Sequence, residues 1–148
     1  KMLVKTNERI QNEKDREARK NNIIIYRVEE NASASADDRA NYDRQWAKDL
    51  TREVLKVYCQ EEDIKRVIRL GARGSTDRPM LVEYRSHIIK NQVMESLSTG
   101  MLKGADKRYC NISIQHDMTK REREQCKETV KLALEKKRLI SRENINTW

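Results

Sequence analysis

Phenylalanine is absent from this chain, and so are several features that define common protein classes. No apolar run approaches the roughly 20 residues that a membrane span requires, and no secretory apolar segment occurs. Hydrophobic residues make up 36% of the 148 and charged residues 38%, so the core must be small. We therefore expect a soluble, intracellular protein without a membrane partner, built as one domain plus an extension.

The three cysteines, Cys59, Cys110 and Cys126, include no C-x-x-C pair. Such wide spacing predicts reduced, structural thiols. Cys110, His116 and Cys126 could be assembled into a metal site only with a missing fourth ligand, and their spacing fits no known class. We therefore predict no metal and no cofactor.

Basic residues are concentrated in one part of the chain. The net charge is +8, and residues 64–123 carry thirteen Lys and Arg against six Asp and Glu, whereas residues 21–63 carry six against ten. An excess in one segment is typical of a phosphate-binding face, although a solvated surface also produces charge runs. Nucleic acid is therefore one of the candidate partners.

Periodicity predicts seven elements after an N-terminal stretch that resembles the end of a coiled coil, with Leu3, Ile10 and Glu17 seven apart. The stretch "NNIIIYRVEE" predicts a strand and "NASASADD" a loop. The remaining elements are an amphipathic helix from Tyr42 to Tyr58, strands near 64–70 and 79–85, a helix over 87–98, a strand through Cys110, Ile112 and Ile114, and a long helix to about Ile140, capped by Thr119 with Glu122.

The order strand, helix, strand, strand, helix, strand is that of the ferredoxin-like fold, which the RNA-recognition motif shares. The predicted class is therefore α+β, a ferredoxin-like RNA-recognition-motif fold (βαββαβ) preceded by a coiled-coil-type helix and followed by a long C-terminal helix. The predicted domains are residues 1–20, the end of an N-terminal coiled coil; 21–117, a non-standard RNA-recognition motif; and 118–148, the C-terminal helix with the start of a truncated C-terminal domain.

Alternation along "RPMLVEYR" predicts that Met80, Val82 and Tyr84 pack under the helices while Leu81, Glu83 and Arg85 face outward. In "VIRL" the same period separates Arg66, Ile68 and Leu70 from Val67 and Arg69, and either set could be the buried one. An arginine on an open sheet face offers a planar guanidinium to phosphates and unstacked bases.

Stacking aromatics are scarce on the predicted nucleic-acid face. An RNA-recognition motif normally presents two aromatics on its third strand, but the outward positions here hold Pro79 and Leu81, which leaves Tyr26 as the stacking candidate. We therefore predict electrostatic binding with little sequence preference. The predicted nucleic-acid-binding residues are Tyr26, Arg27, Lys65, Arg66, Arg69, Arg73, Arg78, Arg85, Arg108, Lys120, Arg121 and Arg123.

The segments "NNIIIYRVEE", "VIRLG", "RPMLVEY", the single Lys90 and "ISIQHDMTKREREQCKE" occur in this order. Over about residues 18–148 the chain thereby resembles the first-open-reading-frame protein of LINE-type non-LTR retrotransposons. The resemblance implies an RNA-binding nucleic-acid chaperone that coats the element's transcript in a cytoplasmic ribonucleoprotein, with the nucleus as a further location. It also implies single-stranded RNA as partner, single-stranded DNA as a further one, and self-association through the coiled coil. "ISRENINTW" would begin the family's C-terminal domain.

Two other classes of function make different demands on the sequence. An acyl-phosphate hydrolase on the same fold needs an anion-cradling loop, for which "GARGS" is the one candidate, and neither His87 nor His116 has a Ser or Cys and an acid at motif spacing. We therefore expect no enzyme and assign no catalytic residue. A protein-interaction module that uses one of the terminal helices remains the alternative to direct RNA binding.

Overall fold

The computed structural model describes residues 2–146, with side chains from 4 to 143. Its α-helices and β-strands are α1 (Met2–Arg19), β1 (Asn22–Tyr26), α2 (Ala36–Asp49), β2 (Ile64–Arg69), β3 (Met80–Tyr84), α3 (His87–Ser98), β4 (Ser113–His116) and α4 (Lys120–Asn146). Residues 20–117 form one compact unit, the sheet unit, and the described residues 2–19 and 118–146 form another, the helical unit. None of the helices over the described residues is long and apolar enough to cross a bilayer.

The sheet unit is α+β, as predicted. Its four strands pair antiparallel in the order β2-β3-β1-β4. Alternate side chains of β1 and β3 share one core with Trp46 and Leu50 from the α2 region and Val93 of α3, so both helices cover the same face of the sheet. We call this the helix side and the opposite face of the sheet the outer face.

The predicted inward set of β3 is confirmed, because Met80, Val82 and Tyr84 are buried in the core. The Tyr84 hydroxyl lies 2.8 Å from the Thr51 hydroxyl, which donates in turn to the Ala47 carbonyl. Burial raises the pKa of Tyr84 well above its ordinary value, against the smaller opposing effect of the Thr51 hydrogen bond. The phenol therefore stays neutral and satisfied within the core.

Helix α2 begins earlier than its apolar stripe predicts. The Ser35 hydroxyl accepts a hydrogen bond from the Asp38 amide (3.4 Å), and two aspartates in the first turn favour the helix dipole. The segment 31–38 is therefore only partly a loop. At the other end the chain passes through a π-helical turn, Leu50–Val54. It then reaches Lys56, whose backbone has the left-handed conformation (φ 57°).

The expectation that the α2 helix continues to Tyr58 is wrong. The left-handed residue at 56 redirects the chain, so that Val57 enters the core while Tyr58 is 79% exposed. The last strand is also shorter than predicted, because a turn at residues 106–109 buries Tyr109 against Trp46 (ring centroids 5.4 Å apart) and pairing begins only at Ser113.

In the helical unit, the predicted cap of α4 is present. The Thr119 hydroxyl accepts a hydrogen bond from the Glu122 amide at 3.2 Å, and the Glu122 carboxylate lies 3.5 Å from Arg16 of α1. Helix α4 continues to Asn146, beyond the predicted end near Ile140. Within the predicted truncated domain, residues 147 and 148 lie outside the described part of the chain.

A buried ion pair connects β2 to α2. The Arg69 side chain, 4% exposed, makes two hydrogen bonds to the Asp43 carboxylate (2.9 and 3.0 Å). Its remaining hydrogen bonds go to the carbonyls of Val28 (2.7 Å), Arg78 (2.9 Å) and Glu29 (3.2 Å). Arg69 and the core-packed Val67 therefore lie on the helix side, which resolves the choice that alternation leaves open in β2.

Replacing Arg69 should destabilise the fold strongly, because the Asp43 carboxylate would remain buried without its partner. We expect Arg69→Ala to lower the free energy of unfolding by about 3–5 kcal/mol in urea titrations. Arg66→Ala, which removes a half-exposed arginine from the same strand, should cost about 0–1 kcal/mol. Equal losses for the two variants would contradict the structural role given to Arg69.

Candidate nucleic-acid interface

The twelve residues predicted to bind nucleic acid separate by what their side chains already contact. Arg69 is the clearest correction. The sequence predicts it on a nucleic-acid face, but its guanidinium is buried on the helix side, where it donates to the Asp43 carboxylate and to three backbone carbonyls. An arginine held in this way is not presented to a ligand. Its role is to hold α2, β2 and the chain after β1 together.

Arg78 is also engaged internally. Its guanidinium donates to the Glu30 carboxylate at 2.8 and 3.0 Å, its backbone amide donates to the same carboxylate at 3.1 Å, and a further bond reaches the Gly71 carbonyl. The side-chain hydrogen bonds from Arg78 are the largest of the effects that lower the pKa of Glu30, and partial burial opposes them. The positive charge of Arg78 is therefore largely neutralised.

Three other predicted residues are exposed but paired. Lys65 and Arg66 share the Glu83 carboxylate (3.5 and 2.6 Å), and Arg66 stands directly opposite Glu83 in the β2–β3 register. Arg108 lies 3.8 Å from Asp49 and over the ring of Tyr109. Surface pairs of this kind are weak, so a polyanion could compete for these cations.

Arg27, Arg73 and Arg85 form the third group. All three are exposed, and none has a carboxylate partner among the described side chains. Arg27 follows β1 and Arg73 lies in the loop between β2 and β3, so both are at one end of the sheet, while Arg85 follows β3 at the other end. We call these three the unpaired arginines. They bring full positive charge to both ends of the sheet.

Tyr26 lies on the outer face, the side on which a stacking aromatic must lie, and it is half-buried there. It pairs in register with Ser113 of β4, and its neighbour Ile25 points into the core. The aliphatic Ile24, Leu81 and Ile68 form the next row across the same face. The outer face thus has one aromatic at the end of β1 and an aliphatic centre. Leu81 lies on this face as predicted, but it is buried (6% exposed), so the centre of the face is not fully open to solvent.

The predicted residues of the helical unit occupy the start of α4. Lys120, Arg121 and Arg123 are exposed there, and Lys120 and Arg121 line a shallow groove with Lys5 and Arg9 of α1. Acidic side chains also line this groove, so its charge is mixed. The unit as a whole is nevertheless basic.

Charge is distributed unevenly between the two units. Residues 20–117 hold 17 Lys and Arg against 15 Asp and Glu, a net of +2, whereas residues 1–19 and 118–148 hold 15 against nine, a net of +6. The concentration of cations between residues 64 and 123 is thus offset in the sheet unit by carboxylates from elsewhere in the chain. Local unpaired cations, and not the total charge of the sheet unit, define its candidate interface.

The predicted nucleic-acid-binding set does not include two further exposed cations, Lys103 and Lys107. Both are exposed in the segment between α3 and β4, without a carboxylate partner in the described part of the chain. The pattern "KGADKRYC" could have indicated them, since it places three cations around one Asp immediately before a strand.

The thiols and the other potential metal ligands are dispersed over the described part of the chain. Cys59 is buried while Cys110 and Cys126 are exposed, and over the described residues no three His, Cys, Asp or Glu side chains are placed to hold a metal ion. Burial, followed by the nearby charge of Asp63, raises the pKa of the Cys59 thiol. Cys59 is therefore held in its unreactive protonated form.

Compared with known proteins, the chain matches no family model, and no curated protein is significantly similar to it. The assignment of function therefore depends on the residues described above.

The Arg78–Glu30 pair predicts a pH-dependent contribution to stability. Because the folded state lowers the pKa of Glu30, the pair stabilises fully above the unfolded value of about 4.3 and loses its effect as the pH falls through the lower folded value. Glu30→Gln should therefore reduce the free energy of unfolding by about 1–2 kcal/mol at pH 7. Urea titrations should show this difference shrinking below about pH 4.

Glu53→Gln is the matched control, because Glu53 is exposed and has no cationic partner within the described region. Glu53→Gln should leave the free energy of unfolding nearly unchanged, both at pH 7 and below about pH 4. A Glu30→Gln deficit that persists undiminished at low pH would show that the pair does not act through the ionised carboxylate.

Proposed function

We propose that this protein binds single-stranded RNA through an RNA-recognition-motif-like domain. In this proposal it is the RNA-coating protein of a LINE-type retrotransposon, as the ordered segments of its sequence suggest. It would form a ribonucleoprotein with the element transcript and act as a nucleic-acid chaperone, without enzymatic turnover. The observation that carries the proposal is the placement of the unpaired arginines at both ends of the sheet.

The strand order supports the fold part of the proposal. An antiparallel sheet ordered β2-β3-β1-β4, with α2 and α3 on one face, is the arrangement expected of a ferredoxin-like βαββαβ domain. RNA-recognition motifs of that fold bind single strands on the face opposite the helices. The outer face is the corresponding surface here.

The composition of the outer face favours electrostatic over base-specific binding. Leu81 lies on the outer face, and sequence alternation assigns Pro79 to the same face; a typical motif stacks aromatics at these two positions. Tyr26 is the aromatic that the described strands place on that face. Without a row of stacking rings, most affinity must come from phosphate contacts, which do not depend on base identity. The interaction should therefore tolerate many sequences, which suits a protein that coats a transcript.

The helical unit supports the same function. Its net charge of +6 provides long-range attraction for a polyanion. Val4 and Ile10 are exposed on α1, which is consistent with self-association through this helix in a coiled coil. Several RNA-binding domains held together would raise the avidity for a long transcript.

A protein-interaction module is the second candidate, and one observation favours it. Helix α4 exposes large apolar side chains, among them Leu132, Leu134 and Leu139. Exposed aliphatic residues on a long helix are typical of contacts with another helix. Failure to bind RNA at any salt concentration would favour this candidate.

Salt dependence provides the test of RNA binding. If about five phosphates are neutralised, the logarithm of the affinity for an unstructured RNA should fall with the logarithm of salt at a slope of roughly −3 to −4. Fluorescence anisotropy with several unrelated RNAs should give similar affinities and similar slopes. A slope near zero would exclude the electrostatic mechanism.

Charge-matched variants should locate the interface. Arg73→Gln with Arg85→Gln removes two unpaired arginines and should flatten the slope by about 1.4, at 0.7 per lost phosphate contact. Arg52→Gln with Lys56→Gln removes the same charge from the segment that follows α2 and should leave the slope nearly unchanged. Identical losses from both double variants would mean that net charge alone drives binding.

A further inference from the structure

Two residues other than glycine have a positive φ in the described part of the chain, Arg27 (65°) and Lys56 (57°). Lys56 has an ordinary reason for this conformation, because it ends a helical segment whose carbonyls at Leu50 and Thr51 accept from the amides of Leu55 and Val57. Helices commonly end in a left-handed residue. Arg27 instead follows a β-strand, where no such reason applies.

The chain around Arg27 is held so that the strained conformation persists. Val28 is buried in the core, and the carbonyls of Val28 and Glu29 both accept hydrogen bonds from Arg69. A strained residue is maintained only when its surroundings determine its conformation in this way. Glycine or asparagine would adopt the same backbone at lower cost, so the backbone conformation does not itself account for an arginine at this position.

That side chain is exposed, so packing does not explain it. Its Nε donates to the Asn111 carbonyl at 2.6 Å, which fixes the orientation of the guanidinium beside β4. Neither Nη group has a partner among the described residues. The two groups form a pre-oriented fork, the geometry that binds the two oxygens of a phosphate.

We propose that Arg27 binds a phosphate of single-stranded RNA through its two Nη groups, and that the adjacent Tyr26 ring stacks on a base of the same strand. The corner formed by Tyr26, Arg27 and Asn111 is then the principal RNA contact of the sheet unit. This assignment depends on the proposed function, and it adds that Arg27 provides its phosphate contact from a strained backbone conformation. Removing its side chain should therefore weaken RNA binding without weakening the fold.

Arg27→Gly and Lys56→Gly form a matched pair. Each removes one positive charge and relieves one left-handed residue, but only the first alters the corner. For Arg27→Gly we expect about five-fold weaker binding of an unstructured fluorescent RNA and a salt slope flatter by about 0.7. Its Tm should be no more than about 2 °C below that of the wild type. Lys56→Gly should bind within two-fold of the wild type with the same slope.

Tyr26→Leu separates stacking from charge. It should weaken binding while leaving the salt slope unchanged, because no phosphate contact is lost. A loss of affinity for Arg27→Gly no greater than that for Lys56→Gly would overturn the assignment. So would a fall in Tm of more than about 4 °C for Arg27→Gly, since the arginine would then serve as a structural tie. Absence of salt-dependent binding by the wild-type chain would instead remove the proposed function itself.

Discussion

The buried pair of Arg69 and Asp43 is the interaction on which the rest of the sheet unit depends. One guanidinium joins α2 to β2, holds the chain leaving β1 at Val28 and Glu29, and fixes the return of the β2–β3 loop at Arg78. A buried arginine is tolerated only when its hydrogen bonds are satisfied, and here a carboxylate and three carbonyls satisfy them. The end of the sheet that carries the Arg27 corner is therefore held together by the hydrogen bonds of one buried side chain.

The arginines in and around β1, β2 and β3 consequently have two different roles. Arg69 and Arg78 are directed into the protein and maintain its geometry, whereas Arg27, Arg73 and Arg85 carry charge that no carboxylate neutralises among the described side chains. Lys65 and Arg66 are intermediate, because they share Glu83 at the surface. A strand pair rich in arginine can thus stabilise an α+β fold and still present a cationic edge to a polyanion.

Local pattern predicted the sheet unit well. The bounds of α3 and the inward face of β3 follow from spacing alone, because apolar residues there keep the period of one regular element. The errors at Tyr58 and Cys110 arise where the chain turns: a left-handed residue at 56 and the burial of Tyr109 against Trp46 are tertiary effects that periodicity does not encode. The excess of basic residues in its segment led to the wrong prediction that Arg69 is exposed. Its partner Asp43 lies 26 residues away, so local sequence does not reveal the pair.

Backbone amide shift mapping of the chain during titration with an unstructured RNA would show directly whether RNA binds the outer face. We expect the largest shifts at the outer face and its ends, around Tyr26, Arg27, Arg73 and Arg85, and we expect these shifts to disappear at high salt. Amides of α2 and α3 on the helix side should move little. Shifts concentrated on α2 and α3 would place the RNA on the helix side, and equally large shifts that persist at high salt would rule out electrostatic binding.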